Sequence, residues 1–225
     1  METIAEVKGL TKIFKDKKIG DKNALIDVSF DIYKGETLGV VGESGSGKST
    51  LAGLITGLKT ATSGEIIIRG EKVCGIPKGV QMVFQNPADS FNPRKTIGYS
   101  LCEGLLNKGI KKNIAKENVL KLLEECGLSE DIFDKYPHQI SGGQCQRAAI
   151  VRALALEPDI LICDEATSAL DVTVQKTIIE LLDKIKQSRN LTIIFICHNM
   201  SLVKLFCDRY IVLNDGSVKE IVYNE

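Results

Sequence analysis

Gly42-Glu43-Ser44-Gly45-Ser46-Gly47-Lys48-Ser49-Thr50 satisfies every fixed position of the pattern G-x-x-x-x-G-K-[ST]. The chemistry open to such a run is the holding of a nucleoside triphosphate. Its glycines let successive backbone N–H groups turn toward phosphate oxygens, and the helix that follows adds its positive end. Lys48 would reach the β- and γ-phosphates, and the Ser49 hydroxyl would sit on Mg²⁺. A second glycine pair opens another helix. Ser141-Gly142-Gly143-Gln144 has Ser and Gln at capping-box spacing, but two adjacent glycines exceed what capping needs and would admit a phosphate. Asp164 and Glu165 close a buried-strand run that starts at Asp159 and is apolar over 160–163, where ligands of open α/β sheets bind. After a phosphate loop, holding Mg²⁺ and water outweighs helix capping as their role. Asp171 fits a helix N-cap, which is compatible with a place in the site. His198 ends another apolar run in the same way as the carboxylates. Gln85 opens a polar loop to Arg94 with two prolines, a length that marks a functional or mobile loop. Phe14, beside the charged stretch from Lys15 to Lys18, reads by itself as a half-buried strand-end aromatic, with ligand binding the lesser alternative.

These groups need elements to carry them. Thr37 to Val41 is a short buried-strand run directly before the phosphate loop. Leu51, Leu54, Ile55 and Leu58 after it keep the period of a helix with one buried face. The N-terminal runs Ile4–Ile13 and Asn23–Tyr33 alternate as antiparallel strands do. Thr62 to Glu65 reads as a turn, Ile66 to Ile68 and Val80 to Phe84 as strands, and Ile97 to Gly127 as a helical insertion. In that insertion Val119, Leu122, Leu123 and Cys126 share a face. A helix from the Ser141 cap through Leu156 is closed by Pro158. The strand ending at Glu165 follows, and then a helix with Ile178, Leu181, Leu182 and Ile185 inward. Leu191 to Cys197 is a further buried strand, and Asn214-Asp215-Gly216 signals a hairpin.

Bulk properties narrow the function classes. The 225 residues suffice for one core with an inserted subdomain. Lys plus Arg and Asp plus Glu both number 29, so no charge excess marks a nucleic-acid or anionic-membrane binder. No apolar run approaches the ~20 residues that span a bilayer, and Met1 to Glu6 lacks the basic start of a secretion signal. The expected location is the cytoplasm. Seven scattered cysteines with no C-x-x-C pair, and two isolated histidines, read as reduced thiols with neither disulfide nor structural metal.

Taken in order and together, these residues closely resemble the ATP-binding cassette family over essentially the whole chain. Gly42 to Ser49 matches its Walker A motif, Gln85 its Q-loop and Ile140 to Gln144 its signature. Asp164 and Glu165 match the end of Walker B, Ser168 to Asp171 the D-loop, and His198 the switch histidine. Phe14 takes the position of the aromatic that stacks on adenine in this family, which reverses its default reading. The resemblance implies an α/β fold: a P-loop NTPase (RecA-like) core with an N-terminal antiparallel β subdomain and an α-helical subdomain inserted at about 87–157. All of it belongs to one nucleotide-binding domain over 1–225. It further implies a head-to-tail dimer with two ATPs, each held by Phe14 and the Gly42–Thr50 loop of one subunit and by Ser141 to Gln144 of the other. In that scheme Glu165 polarises the attacking water, Ser49, Gln85 and Asp164 support Mg²⁺, and Gln85 also senses the γ-phosphate. His198 keeps the γ-phosphate and Glu165 in register, and with both present the subunit is expected to be hydrolytically competent.

Within the family, 86–94, Tyr136-Pro-His-Gln139 and Ile97 to Leu101 look like ATPase subunits of peptide and nickel importers. Those dock on separate permease chains at the inner face of the membrane, served by an extracytoplasmic solute-binding protein. Cys145 stands where an Arg is commoner and Asn199 where an Asp is usual; neither removes a catalytic group. The sequence ends at Glu225 without the extension many oligopeptide ATPases carry, which leaves nickel or another small solute as alternative cargo. The rival classes are an exporter or lipoprotein-release ATPase, a soluble cassette protein that remodels nucleic acid, and a P-loop GTPase or kinase. The last would lack Ser-Gly-Gly-Gln, and no guanine-specifying Asn-Lys-x-Asp occurs.

Overall fold

The computed structural model describes residues 2–15, 20–166 and 171–224, the side chain of Val172 excepted. It opens on two long strands, β1 (Thr3–Phe14) and β2 (Lys22–Tyr33), followed by β3 (Thr37–Val41) and helix α1 (Lys48–Ile55). Strands β4 (Ser63–Ile68), β5 (Glu71–Lys72) and β6 (Val80–Val83) come next, and then helices α2 (Ile97–Asn107), α3 (Lys112–Glu125) and α4 (Gly142–Leu154). The remainder is β7 (Ile160–Asp164), α5 (Val172–Arg189), β8 (Thr192–Ile196), α6 (Met200–Phe206), β9 (Arg209–Asn214) and β10 (Ser217–Tyr223). Among the described residues these strands form two sheets. One is antiparallel in the order β2-β1-β4-β5; the other, ordered β10-β9-β3-β8-β7-β6, is parallel except for its edge strand β10.

The parallel strands are buried on both faces, so their sequences run continuously apolar and do not alternate. Period 2 still sorts their side chains. Ile160 and Ile162 of β7 join Ile194 and Ile196 of β8 in a core shared with α1 and the antiparallel sheet. Their neighbours Leu161, Cys163, Ile193 and Phe195 pack in a second core with α2 through α6. The central sheet is thus clamped between a β layer and a helical layer, and the C-terminal ends of β3 and β7 emerge at one edge.

Several expectations need adjustment. Thr62 to Glu65 is no simple turn: Ser63 already pairs with Thr11 and Glu65 with Lys8, with an irregularity between them. The small residues there allow a bulge, because backbone groups of Lys8 and Gly9 crowd Gly64. Leu58 lies beyond α1 and is exposed, since Gly57 at φ +71 has ended the helix. Phe84 falls outside β6 and is exposed. The run 97–127 breaks into two helices at Gly109, φ +81, and α4 stops at Leu154, two residues short of expectation. Asp215 and Gly216 both have positive φ, as a two-residue type I′ hairpin requires.

Candidate nucleotide site

The phosphate loop is shaped by close backbone packing. Gly47 sits at φ +106, and a Cβ there would stand 2.4 Å from the carbonyl oxygen of Ala24 in β2, so any side chain collides with backbone. Gly45, at φ +84, has nothing within 4 Å of the same position; this side of the loop is open. The buried Lys48 ammonium donates to the carbonyls of Gly42 at 2.9 Å and Glu43 at 2.8 Å. Ser46 is buried with its hydroxyl unpartnered among the described residues, an idle donor at the base of the loop. Glu43, Ser44 and Ser49 are exposed, and Thr50 is half-buried in the first turn of α1.

The carboxylates arrive where the end of β7 meets this loop. Ser49 Oγ donates to Asp164 Oδ1 at 3.3 Å. Burial raises the Asp164 carboxyl above its ordinary range, against the lowering effect of the Ser49 bond and of Lys48. Glu165, one residue on, turns out of the strand at φ +47 while its N–H donates to Ile196 of β8 at 3.0 Å. That turn aims its carboxylate at Gln85, whose Nε2 donates to Glu165 Oε2 at 2.7 Å. His198 follows β8 and is exposed; its ring makes no hydrogen bond among the described residues.

Phe14, Gln85 and Glu165 line one cleft with Ser44, Gly45 and Gly47 to Thr50 of the loop. The same cleft takes in Lys22 and Ala24 of β2, which carry no motif. Lys22 is the cross-strand partner of Phe14, a pairing that the charged loop between them hides in the sequence. The ring of Phe14 is 39% exposed. The ammonium groups of Lys12 and Lys59 lie 5.1 and 5.7 Å from its centroid, cation–π contacts that hold an aromatic face at the mouth of the cleft.

The second glycine-rich helix start stands apart. Ser141 caps α4 through a full capping box: Gln144 N–H donates to Ser141 Oγ at 3.3 Å, and Ser141 N–H to Gln144 Oε1 at 2.9 Å. Asp171 caps α5, accepting from Val174 N–H at 3.0 Å. Gly143 lies against Val174, whose Cγ1 would stand 3.0 Å from a Cβ at that position, so α4 and α5 start side by side. Ser141, Gly142, Gly143, Arg147, Asp171 and Val174 line a second cleft that shares no residue with the first. Ser168, at the start of the stretch leading to Asp171, lies outside the described residues.

The ABC transporter family matches residues 25–168. The oligopeptide transport ATP-binding protein OppF of Bacillus subtilis is 42% identical over 231 residues, spanning 98% of this chain and 75% of that protein. The oligopeptide transport ATP-binding protein AmiF of Streptococcus pneumoniae is 40% identical over 238 residues, spanning 100% of this chain and 76% of its own. Among solved structures, the dimeric ATP-binding cassette MJ0796, bound to ADP and Pi in a post-hydrolysis state, has a TM-score of 0.89 at 30% identity. The match covers 98% of this chain and 99% of that one. With the family matched over more than half of its residues, and relatives at least 40% identical over nearly all of it, the chain belongs to the ABC transporter family as one of its ATPase cassettes.

Proposed function

We propose that this chain is the ATP-hydrolysing subunit of an importer, working as half of a head-to-tail pair that drives separate permease subunits, with peptides as the favoured cargo. The observation that carries the pairing is the separation of the two clefts. Phosphate-binding groups lie in one and the Ser141–Gln144 helix start in the other, so one copy supplies two different halves and no complete site. A second copy, turned end for end, brings its Ser141 helix onto the open side of the first copy's loop at Gly45. The peptide cargo rests on the oligopeptide transport proteins among the relatives. Nickel or another small solute remains the alternative within the same subgroup.

At the site, adenine stacks on Phe14, and Lys48 exchanges its two loop carbonyls for phosphate oxygens. Ser49 Oγ, Asp164 and the carbonyl oxygen of Gln85 suit Mg²⁺, a hard cation that takes oxygen ligands, and the 3.3 Å contact of Ser49 with Asp164 already gathers two of them. Bound there, Mg²⁺ would neutralise charge on the β- and γ-phosphates. Glu165 accepts the proton of the attacking water once Gln85 releases it, and His198 closes over the γ-phosphate end. Phosphoryl transfer needs positioning and charge stabilisation above all, which is what these groups provide.

Among the described residues, no helix is long and apolar enough to cross a membrane. The oligopeptide transport relatives support placing the subunit in the cytoplasm against a membrane partner, served indirectly by an extracytoplasmic solute-binding protein. The test is Glu165→Gln with ATP and Mg²⁺, followed by size-exclusion chromatography. A stable ATP-dependent dimer with turnover reduced at least a hundredfold is expected; a monomer, or unchanged turnover, would reject the assignment. Co-purification from membranes should recover permease chains, and recovery of ribosomes or DNA in their place would reject the transport role.

A further inference from the structure

The two clefts are separate, yet one side chain ties them together. Arg152 occupies the last turn of α4, about 16 Å along the axis from the Ser141 cap at a rise of 1.5 Å per residue. A basic residue there has an ordinary explanation, since cations suit helix C-termini. Its guanidinium is committed elsewhere. One nitrogen donates to the carbonyl of Ser90, 62 positions away, and the planar group lies over the buried ring of Phe91, 5.0 Å from its centroid. Ser90 ends the short 3-10 turn Ala88–Ser90, itself closed by Ser90 N–H to Pro87 at 3.0 Å and Phe91 N–H to Ala88 at 3.2 Å. Just ahead of that turn in the chain, Gln85 holds Glu165 at 2.7 Å. A continuous path therefore runs from the catalytic carboxylate through Gln85 and its loop to Arg152 and the helix that presents Ser141.

Arg152 keeps this position at a cost. Burial disfavours its charge, and the Glu103 carboxylate offsets only part of that. An apolar side chain of similar length would fill the space without that penalty, so packing alone does not account for the guanidinium. The planar fork does what an alkyl chain cannot: it grips a carbonyl and an aromatic face at once.

We propose that Arg152 is a positioning residue that makes the Gln85 loop and α4 move as one body, so that the occupancy of a subunit's own phosphate cleft sets how it offers Ser141–Gln144 to the facing subunit. This rests on the composite-site reading above. Phosphate at Lys48 draws Gln85 away from Glu165; the loop carries Ser90 and Phe91, and Arg152 passes the shift to α4. One subunit's ATP thereby prepares the other subunit's site.

The experiment compares Arg152→Met, which keeps the alkyl stem, with Arg152→Lys, which can still donate to Ser90. Each is made in the full chain and in the Glu165→Gln background. For Arg152→Met we expect ATP affinity of the monomer within about twofold of the parent and an unchanged melting temperature. ATP-driven dimerisation should weaken tenfold or more, kcat should fall by a similar factor, and the Hill coefficient for ATP should approach one. Arg152→Lys should recover part of the dimerisation. Normal dimerisation and cooperativity in Arg152→Met would overturn the proposal. So would a parallel loss of melting temperature and monomer ATP affinity in both variants, which would mark a structural strut. Failure of the Glu165→Gln parent itself to dimerise with ATP would instead strike the composite site, and the proposal with it.

Discussion

With its ammonium bonded to the carbonyls of Gly42 and Glu43, Lys48 is folded onto its own loop, and nucleotide binding must exchange those two bonds for phosphate. Gln85 and Glu165 occupy each other in the same way. Lys48, Gln85 and Glu165 are thus already paired, and of the loop's buried groups the Ser46 hydroxyl is the one left without a partner among the described residues. The cysteines give a residue-level check of the packing around them. Cys74 is exposed and the other six are buried. Burial pushes the Cys145 thiol up to about 11 and those of Cys126 and Cys163 up to about 12. At pH 8 a disulfide reagent should therefore modify one thiol in the native chain and all seven in denaturant. Because burial favours the thiol over the thiolate, these groups support the fold fully below the ordinary thiol range. That support is lost as pH climbs toward 12. Labelling of Cys145 or Cys163 at pH 8 without unfolding would show that the core around the site is looser than described.

Among the elements, the strand–loop–helix unit from β3 to α1 was legible at once, because its spacing answers to a single ligand geometry and tolerates no substitutes. The corrections fall where tertiary contacts override local pattern. Ser63 is drawn into β4 by pairing with β1, and Leu58 satisfies the helical period although Gly57 has already ended the helix. Lys22 beside Phe14, the Lys12 and Lys59 ammonium groups over its ring, and Arg152 on Ser90 have no motif at all. Apart from Lys12, two residues before Phe14 in β1, each contact joins residues that only the fold makes neighbours. The phosphate loop itself yields a prediction at this scale. Gly47→Ala meets both a positive φ and the Ala24 carbonyl, and should cost about 1–3 kcal/mol by local strain, seen as a lower urea midpoint at unchanged m-value. Gly45→Ala, with open space at its Cβ, should lose less. Equal losses would mean that contact with β2 does not shape the loop.

At the scale of the whole molecule, the central sheet delivers its phosphate loop and both carboxylates to one edge, while α4 and α5 together present Ser141 and Asp171 elsewhere. Family resemblance conveyed the pairing of these surfaces between subunits. Composition and periodicity did not, because nothing in a linear pattern says that two glycine-rich helix starts of one chain line different clefts. The second cleft has a genetic consequence. Ser141→Arg and Lys48→Ala should each be inactive alone, the first with monomer ATP binding preserved. When the two proteins are mixed, each mixed pair contains one cleft with both lesions and one with neither. Two dead proteins should then complement each other in the test tube, recovering about a quarter of wild-type turnover if pairing is random and the sites are independent. Silence of the mixture at every ratio would mean that each copy completes its site alone.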